Sequence, residues 1–313
     1  MHPPSPTFLS IMNDDKRSHE ASSLRTFFDD QLHYLQKLAS SLNSYIYDEE
    51  ELTKEDQLIV ENFVDASNNK MRAVYDYSHK LREHVTALYH HVLQVSDQIP
   101  PPIELSLDSF RVNPIINALF VNSNDINKLV QIDHNVDVYF RKHSQYEFPI
   151  LYAFLTAKKS EKQTLGMSIR EEFLIHDVPQ LAVNFSSHKL HVPCSSSAEL
   201  NTEIKKYLFS RVVAQVKQEM LSRMISQPVK AIGDPYQSRV KSLANPDIYL
   251  DTLIEYLKNP IYLLSIEKIN FKLSKLGIKL DADDKQSANE FDIHELTWSD
   301  NTKNVILQIA YTR

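Results

Sequence analysis

Residues 53–102 read TKEDQLIVENFVDASNNKMRAVYDYSHKLREHVTALYHHVLQVSDQIPPP. Within them Val60, Val64, Ser67, Met71, Val74, Ser78, Leu81, Val85, Leu88, Val92, Val95 and Ile99 alternate strictly by four and three. Ten of these twelve are apolar and two are small serines. A 3.5-residue repeat sustained this long predicts a helix that packs along one seam against another helix, with left-handed crossing. Thr53 offers an N-cap with Asp56 three residues on, and Glu55 adds charge where the helix dipole favours it. Pro100, Pro101 and Pro102 end the segment. No glycine or proline falls between Lys54 and Gln98, so one 45-residue helix of about 68 Å is expected.

Upstream, Leu24, Phe28, Leu32, Leu35, Ala39, Leu42 and Ile46 form a second seam, predicting a helix over Ser18–Ile46 of about 43 Å. The two helices suggest an antiparallel, coiled-coil-like hairpin over 18–105, preceded by a tail at 1–17 that shows no period. The longer helix then has about 16 residues near Leu88–Ile99 without that partner, and these must lie on the rest of the chain or on a second copy.

Residues 106–313 read differently. Asn113-Pro114-Ile115 starts a short helix, and Ser123 starts another that runs to about His143. Phe148–Thr156 is an apolar strand, Lys158–Lys162 a turn, and Leu165, Met167 and Ile169 the return strand. Leu181–Phe185 and Lys189–Val192 suggest a second hairpin. Ser196 with Glu199 caps a helix that stops before Pro228. After a loop at 228–246, a helix from Pro246 to Lys258 leads into strands at Ile261–Leu273, Phe291–Trp298 and Lys303–Tyr311. Helices bracket antiparallel strands, so the expected class is α+β.

Composition narrows the function. The 313 residues include only 3 glycines, against folds whose phosphate cradles and nucleophile elbows need glycine turns. A net charge of −7 argues against nucleic acid as the main partner. Cys194 is the sole cysteine, so neither an internal disulfide nor a cysteine zinc cluster is available, which fits a reducing compartment. No window reaches the length of a membrane helix, and Met1–Pro6 lacks the features of a secretory leader. A cytoplasmic protein without cofactor or metal is expected.

Several groupings are candidates for chemistry. His79, His84, His90 and His91 fall on the seam helix, with His84 and His91 seven apart on one edge of its interface. A di-metal bundle needs paired Glu-x-x-His motifs, which are absent. Cys194 follows His191 and precedes a helix N-terminus, whose dipole would lower its pKa. His188 reads as a turn residue of the same hairpin, and Asp292 and His294 share a strand face near Glu290. Ser-x-x-Lys recurs at Ser186, Ser238 and Ser265, too often to signify catalysis. Charge is segregated: Asp48–Asp65 holds eight acids, including Glu49, Glu50 and Glu51, against Lys54 alone. Glu203–Lys241 holds eight bases, among them Lys205, Lys206, Arg211, Lys217 and Arg223.

The leading expectation is a non-catalytic scaffold or interaction protein. Its helical arm mediates association, including homodimerisation, and its α+β body binds a protein partner or small ligand. The acidic residues, His84 and His91, and the five named bases are its candidate contacts. Two alternatives compete. One is a metal-dependent or Cys/His hydrolase using His176, Asp177, His191, Cys194, Asp292 or His294. The other is a nucleic-acid-associated factor using the basic 203–241 face.

Overall fold

All the seam residues from Val60 to Ile99 except the half-buried Ser78 are buried as their spacing predicts, yet the backbone beneath them is broken. In a computed structural model, which describes residues 49–145, 149–170, 173–226, 245–280 and 288–312, the expected 45-residue rod is two helices. These are α1 (Glu49–Ser67) and α2 (Tyr77–Asp97), with a 3-10 turn over Asn69–Ala73 between them. The cause is local. Asn68 takes an extended conformation (φ −155°, ψ 102°) and its side chain accepts from the Lys70 N–H, starting a new turn in place of the old one. Asp76 then sits at φ 56°, outside helical space. Arg72 spans the break, 2.7 Å from Glu61 and 2.5 Å from Asp65, while the Tyr77 hydroxyl donates to Glu61 at 2.5 Å. Met71, Val74 and Leu81 remain buried because the 3-10 turn keeps the same side inward. The expected helix at 18–46, the tail and the loop at 227–244 lie outside the described residues.

The chain divides into two compact units, Met1–Thr86 with Lys217–Ile254, and Ala87–Val216 with Glu255–Arg313. The second holds the sheet, and its composition of helices and antiparallel strands is α+β. Strands β1 (Ile103–Glu104), β2 (Ile150–Arg170), β3 (Phe173–Cys194), β4 (Leu264–Ser274), β5 (Ala288–Trp298) and β6 (Lys303–Thr312) assemble in the order β3-β2-β6-β5-β4. Every pair on that path is antiparallel, and β1 adds a short parallel pairing to β6. The last three strands match their sequence expectation within three residues.

The two expected hairpins are one. β2 and β3 pair continuously from Tyr152↔Cys194 to Arg170↔Phe173, and Lys158–Lys162 is strand, not turn. Those charged residues carry no turn chemistry; they mark where β2 leaves β6, after Ala157↔Val305, and meets solvent. The small polar residues read as a second turn are a bulge. Ser187, at φ 54°, lies in the register shift between Thr156↔Lys189 and Lys158↔Ser186. Asp177 (φ 56°) and Val192 (φ 47°) mark two further shifts in the same strand.

Four short helices cover one face of the sheet: α3 (Leu107–Val112), α4 (Pro114–Leu119), α5 (Ser123–Ile132) and α6 (His134–Lys142). Ser106, Asn113, Asn122 and Asp133 each cap one of them through a side-chain oxygen. The helix expected over 123–143 is split because Asp133 caps α6, accepting from Asn135 and Val136. The sheet curls around this core: Phe185 of β3 and Phe271 of β4, from opposite ends of the strand order, lie 6.0 Å apart between ring centroids. Its edges are stitched by the segment after β4, where Val183 N–H donates to Gly277 C=O and Lys279 N–H to Leu181 C=O, both at 2.8 Å. Across the opposite face runs α7 (Ser197–Ser226), with Phe154 5.9 Å from Tyr207 and Gln308 donating to Asn201 at 2.9 Å. Helix α8 (Pro246–Leu257) precedes β4.

Candidate functional site

The face of the sheet beneath α7 gathers polar groups that β-strand alternation turns away from the apolar core. His191 of β3 shares a hydrogen bond with Thr156 Oγ1 at 3.0 Å and lies 4.8 Å from the Tyr207 ring. Burial, then the positive charges of Arg211 and Lys189, lower its pKa to about 4, so the imidazole is neutral at pH 7. Cys194, three residues on, is buried, and its Sγ donates to the Val192 carbonyl at 3.0 Å. The helix dipole, which can lower a thiol pKa, does not prevail here. Burial first, then the Glu199 and Glu203 carboxylates, push its pKa up to about 12, keeping it a protonated thiol. The Ser196 cap does form, accepting from Glu199 N–H at 3.2 Å, while the Glu199 carboxylate accepts from the Ser195 N–H and hydroxyl.

The other candidate chemical groups are dispersed. Asp292 and His294 lie on β5, two strands removed from β2 in the sheet order. Lys268 and Asn270 hydrogen-bond Asp292 and lower its pKa; burial lowers that of His294. His176 and Asp177 sit far along β3, in the outermost bulge. No cluster of three metal-ligating side chains occurs among the described residues.

The basic residues of α7 are engaged within their own units. Lys205 pairs with Asp97 at 2.9 Å and Lys206 with Glu203 at 2.7 Å. The Arg211 guanidinium lies 4.2 Å from the Trp298 ring centroid and donates to the Tyr207 hydroxyl at 3.1 Å. Lys217 donates to the Ala66 carbonyl at 3.3 Å, and Arg223 pairs with Glu219 at 2.9 Å. His91 donates to the Leu264 carbonyl at 2.7 Å; His84 lies on the preceding part of α2. Glu49, Glu50 and Glu51 form the start of α1.

Two features escaped the sequence reading. The first is the outer part of the β2–β3 ribbon, beyond the sheet, which displays Leu165 at 67% exposure and Met167 at 58%, on one face with Pro179. The signal in the sequence is the apolar alternation of Leu165, Met167 and Ile169, which marks a strand without marking its exposure. The second is a cleft of about 370 Å³ between α3–α4, β3 and the turn after β4. Its floor is apolar (Phe120, Val183, Leu273), its rim carries Val121 and Leu276, and its polar lining is Asn117, Asn184, Asn289, Ser274 and Lys275. His188, read as a turn residue, supports its wall: it stacks 4.6 Å from Phe120 and donates to the Leu119 carbonyl at 2.9 Å. Those side chains come from four separate stretches of sequence, so no local pattern announces the cleft.

No family model, curated protein or solved structure matches this chain. Its function is therefore argued from its own surfaces. Among the described residues no helix is long and apolar enough to cross a membrane.

Proposed function

We propose that this chain is a non-catalytic, cytoplasmic association protein, and that the outer β2–β3 ribbon is the element through which it engages a second copy of itself. The observation that carries this reading is the exposure of Leu165 and Met167 on one face of a ribbon that no third strand supports there. A lone two-stranded ribbon is marginal in water, and apolar side chains on it gain by packing against another surface. Leu165, Met167 and Pro179 are themselves uncharged, so these three side chains can meet their own copies across a two-fold axis without like-charge repulsion among them. Two of the candidate chemical groups fit a non-catalytic role: Cys194 is held as a thiol and the half-buried His191 is neutral at pH 7.

Sedimentation velocity over a hundredfold range of concentration tests this. The expected result is a mass that rises with concentration, and a monomer throughout for the double variant Leu165→Glu, Met167→Glu. A wild-type chain that stays monomeric across the range, or a double variant that associates equally well, overturns the proposal.

A further inference from the structure

The cleft between α4 and the turn after β4 is built as a rigid receptor with unspent hydrogen-bonding capacity. Ser274 Oγ accepts from the N–H groups of Leu276 and Ile278, Gly277 N–H donates to the Ser274 carbonyl, and Gly277 C=O accepts from Val183. The turn is thus fastened to both β4 and β3. Gly277 is required there: its φ is +74°, and a Cβ would stand 2.9 Å from the Val183 carbonyl oxygen. Opposite, Asn117 Nδ2 donates to the Phe110 carbonyl at 3.1 Å, and its Oδ1 accepts from Asn289 Nδ2 at 3.0 Å. This chain of bonds fixes the Asn289 carboxamide and leaves its Oδ1 without a partner among the described residues. Asn184 brings a third carboxamide to the lining. Lys275 is the one charged side chain of the lining, and it forms no ion pair among the described residues.

We propose that this cleft binds an N-acylated apolar amino acid through its free carboxylate. The apolar side chain rests on Phe120, Val183 and Leu273, and the amide N–H donates to Asn289 Oδ1. The carboxylate meets Lys275, the sole charge available to match it. A peptide ending in leucine and a free N-acyl amino acid share this chemistry. Rigid walls limit the ordering cost of binding, and capture of a terminal carboxylate is an established mode of peptide recognition.

The test is a titration of the full-length chain, following the side-chain amide resonances of Asn117, Asn184 and Asn289 by nitrogen-15 NMR. The probes are acetyl-Ala-Ala-Ala-Leu with a free carboxylate, the same peptide as its C-terminal amide, and N-acetyl-leucine. Saturable shifts with the free acid are expected, weakened about fivefold for the amide peptide and for Lys275→Gln, as fits one solvent-accessible ion pair. Lys275 is exposed, so its replacement leaves the fold intact. Tighter binding of the peptide than of N-acetyl-leucine identifies a chain terminus as the natural source; equal binding identifies the free acyl amino acid. Absence of shifts up to about 5 mM, weaker than the millimolar range of specific contacts, overturns the proposal. So does equal affinity for acid and amide. Association through the ribbon is read by sedimentation, so either proposal can fail alone.

Discussion

The same two strands behave differently at their two ends. From Leu151 to Ala157, β2 lies between β3 and β6 and is buried along nearly its whole length. From Lys158 outward it pairs with β3 alone, and its side chains are largely exposed. Backbone hydrogen bonding continues through both parts, so the ladder does not depend on what the side chains touch. The inner part is largely apolar on both faces because both are covered; the outer part of β2 is largely polar, interrupted by Leu165, Met167 and Ile169. Apolar residues in the inner part therefore measure folding, and those in the outer part test the association proposed above.

Substitutions sharpen that contrast. Phe154→Ala, at a side chain with no exposure, is expected to cost about 4 kcal/mol in urea unfolding through lost burial and the cavity left behind. Leu165 truncated to Ala should cost a small fraction of that, and an equal loss at the two positions breaks the distinction. The next largest effect is in pH. The folded-state pKa of His191, about 4, lies below its ordinary 6.5, so the unfolded chain binds the proton more tightly. Its contribution is fully present above about 6.5 and is lost as pH falls through the window to about 4, amounting to about 3 kcal/mol. Urea midpoints compared at the two ends of that window read it, and His191→Gln should flatten the slope. Gly277→Ala is expected to cost about 2 kcal/mol, from a left-handed backbone position and a crowded Val183 carbonyl. The smallest effect belongs to Leu165→Glu with Met167→Glu: within about 0.5 kcal/mol of wild type in monomer stability, while self-association is abolished.

Legibility followed the physics of each signal. The ten apolar positions of the heptad seam, from Val60 to Ile99, are all buried, because burial depends on which side an element presents. It missed the break at Asn68 because a side chain competing for one backbone N–H leaves apolar spacing intact. Helix caps at Asn113 and Ser196, and strands β4 to β6, were readable from local chemistry. Strand β3 reads as two because its bulge at Ser187 wears the composition of a turn. Charge along 203–241 suggests a face for external partners, and the five candidate bases among the described residues of that stretch also contact nearby groups. Asp97, Trp298 and Ala66 lie far from them in sequence.

The buried carboxylate of Glu295 belongs to neither end of the ribbon. It is 1% exposed, with Lys303 Nζ 3.3 Å from one oxygen and Lys159 Nζ 3.1 Å from the other, the latter contact lacking hydrogen-bond alignment. Lys159 also lies 5.6 Å from the Phe271 ring centroid. The charge sits where β2 parts from β6, and fixes that point of departure.

Strand β6 has a consequence for assembly. It is the middle of the sheet, flanked by β2 and β5 and touched by β1, yet it is encoded by residues 303–312. During synthesis, strands made some hundred and fifty residues earlier have no central neighbour to dock on until residues 303–312 have been made. Pairing such as Ile150 with Thr312 closes a very long loop, which favours slow maturation and a need for chaperone shelter meanwhile.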